Sequence, residues 1–358
     1  MFTNNDANKI VGGTSDSDSI SNSGSGCLIF AGAGNDSIRN FTNASNVMID
    51  ANDGNDYIQN ESSYVTIDAG EGDNYIYSSG DYVSIKAGNG NDYLYGGSYF
   101  GNSTVDLGNG NNTVNNYGGA HTTVMTGDGD DSFYDYGYGS DVSIDAGNGN
   151  NIFSIRNSNT TIRAGADNDY VVNSGANVFI DVGNGNNTIT NGGKNVTVVV
   201  GEGNDTITNH SESVMVDAGD GDDSIFNGGW YTTINGGAGN DSIRNSGHYS
   251  SIGGGAGNDT LISESAFKRV TLTGGAGNDI LIADIDVGIA DGGDGDDSIL
   301  STSNRLTIYG GAGNDSITSK NPYALIYGDD GNDYIYNKAS SVTVNAGAGN
   351  DTVYQNAA

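Results

Sequence analysis

One cysteine, one proline and one tryptophan stand in 358 residues, and only 12 residues are basic against 45 acidic. Cys27 has no second cysteine to pair with, which excludes an intramolecular disulfide and a thiolate metal cluster. No apolar run approaches the length that crosses a bilayer. The start, MFTNNDANKI, has neither the basic nor the apolar region of a conventional signal peptide. Only 35% of residues are hydrophobic and the formal net charge is −33, a combination that reads first as disorder. The same charge excludes nucleic acid and anionic membranes as default partners and points to cations.

What is abundant is glycine, 59 residues of it, placed periodically. The stretch at 236–244, GGAGNDSIR, returns at 254–262, 274–282, 292–300 and 310–318. With its positions numbered one to nine, the position-two residue falls at 32, 52, 70, 88, 108, 127, 147, 165, 183, 201, 219, 237, 255, 275, 293, 311, 329 and 347. The step is 18, stretched to 19 or 20 at five places, and 13–20 is a degenerate first copy with Asp18 at position six. No linker interrupts the eighteen well-formed repeats, so the chain divides into an irregular N-terminal segment, 1–12, and one repeat array, 13–358. A period this dense outranks local secondary-structure signals.

Position eight is apolar in every copy, from Ile38 and Ile58 to Ile335 and Val353. The other half of each repeat carries its own apolar pair two residues apart, as in Val65 with Ile67 and Val196 with Val198. Spacing of two marks one face of a strand, so each repeat predicts two short strands separated by two turns. One turn is the Gly-Asp loop and the other is Asn/Ser/Gly-rich, as at 173–177. A single coil cannot bury its apolar face, so coils must stack. The predicted fold is all-β: a right-handed parallel β-roll or β-solenoid of about 18 coils of 18–20 residues, with the Gly-Asp loops along one edge. Parallel strands about 4.8 Å apart make that a rod of roughly 85 Å.

Glycine at positions two and four lets the backbone take positive φ and turn its carbonyls inward. Aspartate at position six adds a carboxylate beside them. Oxygen donors alone suit a hard cation, and the flexible shell of Ca²⁺ fits better than the tight octahedron of Mg²⁺. One loop offers too few oxygens, so the predicted site lies between stacked loops, with two carboxylates and about four carbonyls. Eighteen loops enclose up to about 17 such sites, whose roughly +34 at full occupancy nearly cancels the chain's own charge. A few buried aliphatics per coil do not offset the entropy of ordering it, so folding is expected to be coupled to calcium binding.

The loops resemble the RTX, or hemolysin-type, calcium-binding nonapeptide repeats, Gly-Gly-x-Gly-x-Asp-x-(apolar)-x, over 13–354. The resemblance implies a calcium-loaded parallel β-roll that leaves the cell unfolded through a type I channel and folds outside, hence an extracellular or cell-surface protein. It implies as ligands Asp36, Asp56, Asp92, Asp131, Asp169, Asp205, Asp223, Asp241, Asp259, Asp279, Asp297, Asp315, Asp333 and Asp351 at position six. With them go the carbonyls of the Gly-rich stretches, among them Gly237, Gly239, Gly255, Gly257, Gly275, Gly277, Gly293, Gly295, Gly311 and Gly313. The chain departs from the family pattern in four ways. Only one half of each coil carries the motif. Asn74, Asn112, Asn151 and Asn187 stand at position six, each expected to offer a neutral oxygen in place of a carboxylate. Asp167 stands at position four, and Asn52 and Asp329 stand at position two. Position one is Ala, Leu, Thr or Val in the first ten copies and mostly Gly afterwards. The copies from Asp205 to Asp351 all keep the acid, so the C-terminal half is expected to bind calcium more tightly and fold first.

The leading function is a non-enzymatic, monomeric, calcium-binding repeat protein, a rod that spaces or presents something or assists secretion of a bacterial protein. A second reading is an adhesin segment that binds glycan or a cell surface through an outward strip of Tyr57, Tyr75 and Tyr93 at position seven and Tyr77 and Tyr95 at position nine. Cross-strand stacking is the plainer account of that strip. A third reading is the calcium-binding accessory region of a secreted exoenzyme or toxin. The Asn or Asp at position five of every copy is ascribed to turn chemistry. His121, His210 and His248 lack metal-ligand spacing, and neither a His-Glu-x-x-His nor a Gly-x-Ser-x-Gly segment is present. A row of equivalent aspartates offers no asymmetric pair for acid–base work, so no enzyme activity is expected.

Overall fold

The structure, a computed structural model, describes all residues except 138, 265–268, 303, 321 and 356–358. The chain forms two compact units, Met1–Gly183 and Asn184–Ala358. Each is a parallel β-solenoid, and among the described residues there is no helix. In every coil one strand follows the Gly-Asp loop, here called the A strand, and one precedes the next loop, the B strand.

In the first unit the A strands are four residues long, as in Tyr57–Asn60 and Tyr75–Ser78, paired in parallel with Ile58 opposite Ile76. Past the first two coils, whose B strands Ile10–Thr14 and Leu28–Gly32 have five residues, the B strands are three residues long, as in Thr66–Asp68 and Ser84–Lys86, with Ile67 opposite Ile85. Alternation decides which side chains go inside. Ile58, Ile67, Ile76 and Ile85 are buried, whereas Tyr57 and Tyr75 stand exposed. Each such aliphatic contributes about 1.5–3 kcal/mol by leaving water. Segment 1–12, expected to be irregular, instead supplies strands Phe2–Asn4 and Ile10–Thr14. Phe2 lies opposite Ile20 and Val11 opposite Ile29, so two apolar residues extend the inner rows without any Gly-Asp motif to announce them.

The second unit repeats this plan with Ile225 opposite Ile243 in its A strands. Its B strands run longer, as in Thr233–Ala238, Ser251–Ala256 and Leu306–Ala312. The start of the loop joins the ladder there, with Gly237 opposite Gly255 and Ala238 opposite Ala256. This happens where position one is glycine. In the first unit that position carries a buried side chain in most copies, as at Ala51, Ala69, Leu107 and Val182.

Opposite the Gly-Asp loops, the core ends in a row of buried asparagines at the last A-strand position. Asn209 Nδ2 donates to Asn227 Oδ1 (2.8 Å), and Asn227 Nδ2 to Asn245 Oδ1 (2.7 Å). Asn22 and Asn40 make the same link in the first unit (2.8 Å). Within its own coil Asn227 also holds the turn, donating to the Gly229 carbonyl (3.1 Å) and accepting the Gly229 N–H (3.0 Å). All four hydrogen-bonding positions of the amide are used, which is what permits it to be buried. The sequence pattern had not singled out this row, although asparagine recurs at the position.

Candidate metal centre

Position six comes immediately before each A strand, on the inner side of the Gly-Asp loop. Asp241 Oδ1 accepts the backbone N–H of Asp223 (2.9 Å), and the N–H of Asp241 donates to Asp259 Oδ1 (2.8 Å). The same link continues from Asp259 through Asp279, Asp297, Asp315 and Asp333 to Asp351. In the first unit it joins Asp18, Asp36 and Asp56. One carboxylate oxygen per coil is therefore spent on the neighbouring backbone.

The other oxygen meets no donor. Oδ2 of Asp36, Asp56, Asp92, Asp131, Asp205, Asp223, Asp241, Asp259, Asp279, Asp297, Asp315 and Asp333 is buried without a hydrogen bond. A buried, unpaired carboxylate oxygen costs several kcal/mol unless a proton or a cation reaches it. Burial accordingly pushes these carboxyls up, to about 7 at Asp56, Asp131, Asp169, Asp223 and Asp297. Asp92, Asp205, Asp241, Asp279 and Asp315 rise to about 6. Asp36, Asp259 and Asp333 rise as well. The bonded backbone N–H works against burial at each, and like-charged neighbours such as Asp205 and Asp241 beside Asp223 add to it.

Position one explains what faces the orphaned oxygen. A Cβ on Gly236 would collide with Asp241 Oδ2 and with the carbonyl oxygen of Gly254 in the next coil. The same two oxygens crowd Gly254, Gly274, Gly292 and Gly310, each time the acid of its own coil and the position-one carbonyl of the next. Oxygens from two coils thus converge on one small space. Positive φ at Gly237 (116°) and Gly239 (134°) bends the loop around it, and the expected ligand glycines at 255, 257, 275, 277, 293, 295, 311 and 313 share that conformation. Among the described residues no three Asp, Glu, His or Cys side chains converge, so an ion held here takes backbone carbonyls as well. That is an oxygen-only donor set, which fits Ca²⁺ and not a thiolate- or imidazole-seeking metal. The position-one carbonyl is the member that sequence reasoning missed. The change from Ala or Val to Gly at that position was its only trace.

The asparagines at position six depart from expectation. Asn112 Oδ1 accepts the N–H of Asp92 (2.9 Å), as an aspartate would. Its Nδ2, however, donates to the carbonyls of Gly108 (3.2 Å), Gly110 (3.0 Å) and, in the next coil, Thr126 (3.0 Å). The partners decide this orientation, a backbone N–H on one side and only carbonyls on the other. Asn74 reaches Gly72 (2.9 Å), Asn151 reaches Gly149 (2.9 Å) and Asn187 reaches Gly185 (3.1 Å) in the same way. These copies offer the site a donor and not the neutral oxygen expected of them. Asp18, in the degenerate first copy, has its Oδ2 satisfied by the N–H (2.7 Å) and hydroxyl (2.9 Å) of Thr14.

Against known proteins, the RTX calcium-binding nonapeptide repeat (4 copies) matches residues 68–98, 181–210, 232–244, 251–265, 269–290, 291–320 and 325–339. RTX calcium-binding nonapeptide repeats are thus detected in several copies, over somewhat less than half of the chain. The matched RTX segments contain Asp92, Asp205, Asp241, Asp259, Asp279, Asp297, Asp315 and Asp333, together with Asn74 and Asn187. No curated protein matches the sequence significantly. Among solved structures, the chain is similar to a hyperactive, Ca²⁺-dependent, β-helical antifreeze protein from an Antarctic bacterium, at 22% identity with a TM-score of 0.31, over 94% of this chain and 83% of that one. Among the described residues no helix is long and apolar enough to cross a membrane.

Proposed function

We propose that the chain is a calcium-dependent structural module of a secreted or surface protein, whose coils order when calcium enters the spaces between Gly-Asp loops. The observation that carries this reading is the row of buried Oδ2 atoms with no donor, repeated at the same position coil after coil. Asp36 through Asp333 would hold the ion with the position-one carbonyl of the following coil, and Asp351 extends the row. Bound calcium supplies positive charge where the fold has gathered only acceptors, so binding free energy becomes folding free energy. Export as an unfolded chain and folding outside the cell, where calcium is abundant, follow from that dependence.

Far-UV circular dichroism after exhaustive calcium removal tests it. Adding back calcium is expected to convert a partly coil spectrum to a full β spectrum at roughly 10⁻⁴–10⁻³ M, with no response to magnesium. A full β spectrum in chelator would defeat the proposal.

The tyrosine strip gives the adhesin reading little help. Tyr75 is stacked between Tyr57 (5.2 Å) and Tyr93 (4.9 Å), and Tyr95 between Tyr77 (5.4 Å) and Tyr117 (4.8 Å). Rings stacked on both faces leave only edges and hydroxyls to solvent, whereas sugars pack on ring faces.

A further inference from the structure

We propose that the position-six asparagines are built-in substitutes for the cation, so that the chain contains two classes of interloop site, one held by metal and one held by an amide. This rests on the calcium reading above and divides it. Position six reads Asn74, Asp92, Asn112, Asp131, Asn151, Asp169, Asn187, Asp205, a strict alternation, and then aspartate without exception to Asp351. At Asn112 the amide nitrogen bonds the position-two and position-four carbonyls of its own loop and the position-one carbonyl of the next coil. The position-one carbonyl is the one that, together with Oδ2, crowds the position-one glycine in the aspartate coils of the second unit. An NH₂ group brings two donors and partial positive charge to a cluster that otherwise holds only acceptors.

Each asparagine therefore does two things. It satisfies the carbonyls that a cation would satisfy, and it removes one negative charge from the row. The Oδ1 atom is not available to a metal at these copies, because it accepts the N–H of Asp56, Asp92 or Asp131 from the preceding coil. Within the alternating run Asp92 and Asp131 have no position-six carboxylate one coil away on either side. From Asp223 to Asp333 every aspartate has one on both sides. Amide-held spaces cannot be emptied by a chelator, so the need for calcium is concentrated in the all-aspartate run.

Three full-length chains test this: the natural one, the triple variant Asn74→Asp, Asn112→Asp, Asn151→Asp, and the triple variant Asp223→Asn, Asp259→Asn, Asp297→Asn, which imposes alternation on the second unit. Bound calcium is counted by equilibrium dialysis with elemental analysis, and thermal unfolding is followed in excess chelator. The first variant is expected to bind about three more calcium ions than the natural chain and to melt lower in chelator. The second is expected to bind about three fewer and to melt higher in chelator. If all three chains bind calcium equally, or if their chelator melting points do not separate in that order, the inference is overturned while the calcium reading stands. A natural chain that binds no calcium removes the reading beneath it.

Discussion

A glycine at position one and an alanine at position one lead to different loops, though the two residues differ by one methyl group. At Gly274 a Cβ would strike Asp279 Oδ2 and the Gly292 carbonyl. At Ala51 the methyl is buried in the core without difficulty, because the B strand of that coil stops short of the loop. Gly274→Ala is therefore expected to lose about 1–3 kcal/mol of stability in calcium through overpacking, and to lower calcium affinity by displacing the position-six carboxylate. Ala51→Gly is expected to lose about 0.5–1 kcal/mol through backbone entropy, with calcium content unchanged. Denaturant melts and calcium counts on both variants check this, and equal losses would show that position one does not shape the site. The position-six acids themselves were legible from residue type and spacing. The donor role of the asparagines was not, because sequence gives an amide without its orientation.

At the scale of the strand, what holds one coil on the next is a set of rows, each running through one residue per coil. Position five forms an outer row in which the N–H of Asn240 donates to Asp222 Oδ1 (2.7 Å) and the N–H of Asn258 to Asn240 Oδ1 (2.9 Å). Turn chemistry had been expected to account for these residues, yet their side chains bond the following coil. The inner asparagine row is the more demanding because it is buried. Asn227→Ala would remove the cross-coil acceptor of the Asn209 amide, the partner of the Gly229 N–H and the cross-coil donor to Asn245 Oδ1. It is expected to cost about 1–3 kcal/mol in calcium. Asn227→Ser should cost less, since Ser78 and Ser263 occupy the same position and accept from Asn60 and Asn245. Thermal melts of the two variants decide, and an unchanged melting temperature for Asn227→Ala would show that the row is dispensable. The apolar strand residues, and with them the coil, could be read from period alone. The asparagine row could not, because a polar residue on a strand face reads as solvent-facing until the turn beside it closes over it.

For the whole molecule, the many raised carboxyls act together. A carboxyl whose folded value lies near 6 or 7, against 3.8 for the free side chain, binds its proton more tightly when folded. Its contribution to stability is complete below the unfolded value and is lost as pH rises through the folded one. Calcium-depleted protein is therefore expected to melt highest near pH 4 and progressively lower up to about pH 7. Calcium-saturated protein should show the reverse trend, because protons and calcium compete for the same Oδ2 atoms. Melting curves across that range in both conditions test the sign. A calcium-free melting temperature that rises with pH would mean the carboxyls are not held up by burial. The formal charge of −33 points the same way, since protons or calcium must neutralise most of the inner row before stacked coils can form.

Period, glycine placement and residue charge were enough to determine the parallel solenoid, the pairing of each apolar residue with its equivalent one coil away, and the row of acids beside the Gly-Asp loops. These are properties of a repeat, and a repeat forces every position into a row of like neighbours whatever the details of the turn. Only the tertiary structure decided which oxygen of each carboxylate is spent on the backbone and which is left without a donor. It also brought the position-one carbonyl from the adjacent coil to that oxygen, extended the array back to Phe2, and turned the position-six amides so that nitrogen faces the carbonyls. Each of these depends on contacts between coils, where a rotation about one side-chain bond exchanges donor for acceptor, and spacing along the chain carries no information about that rotation.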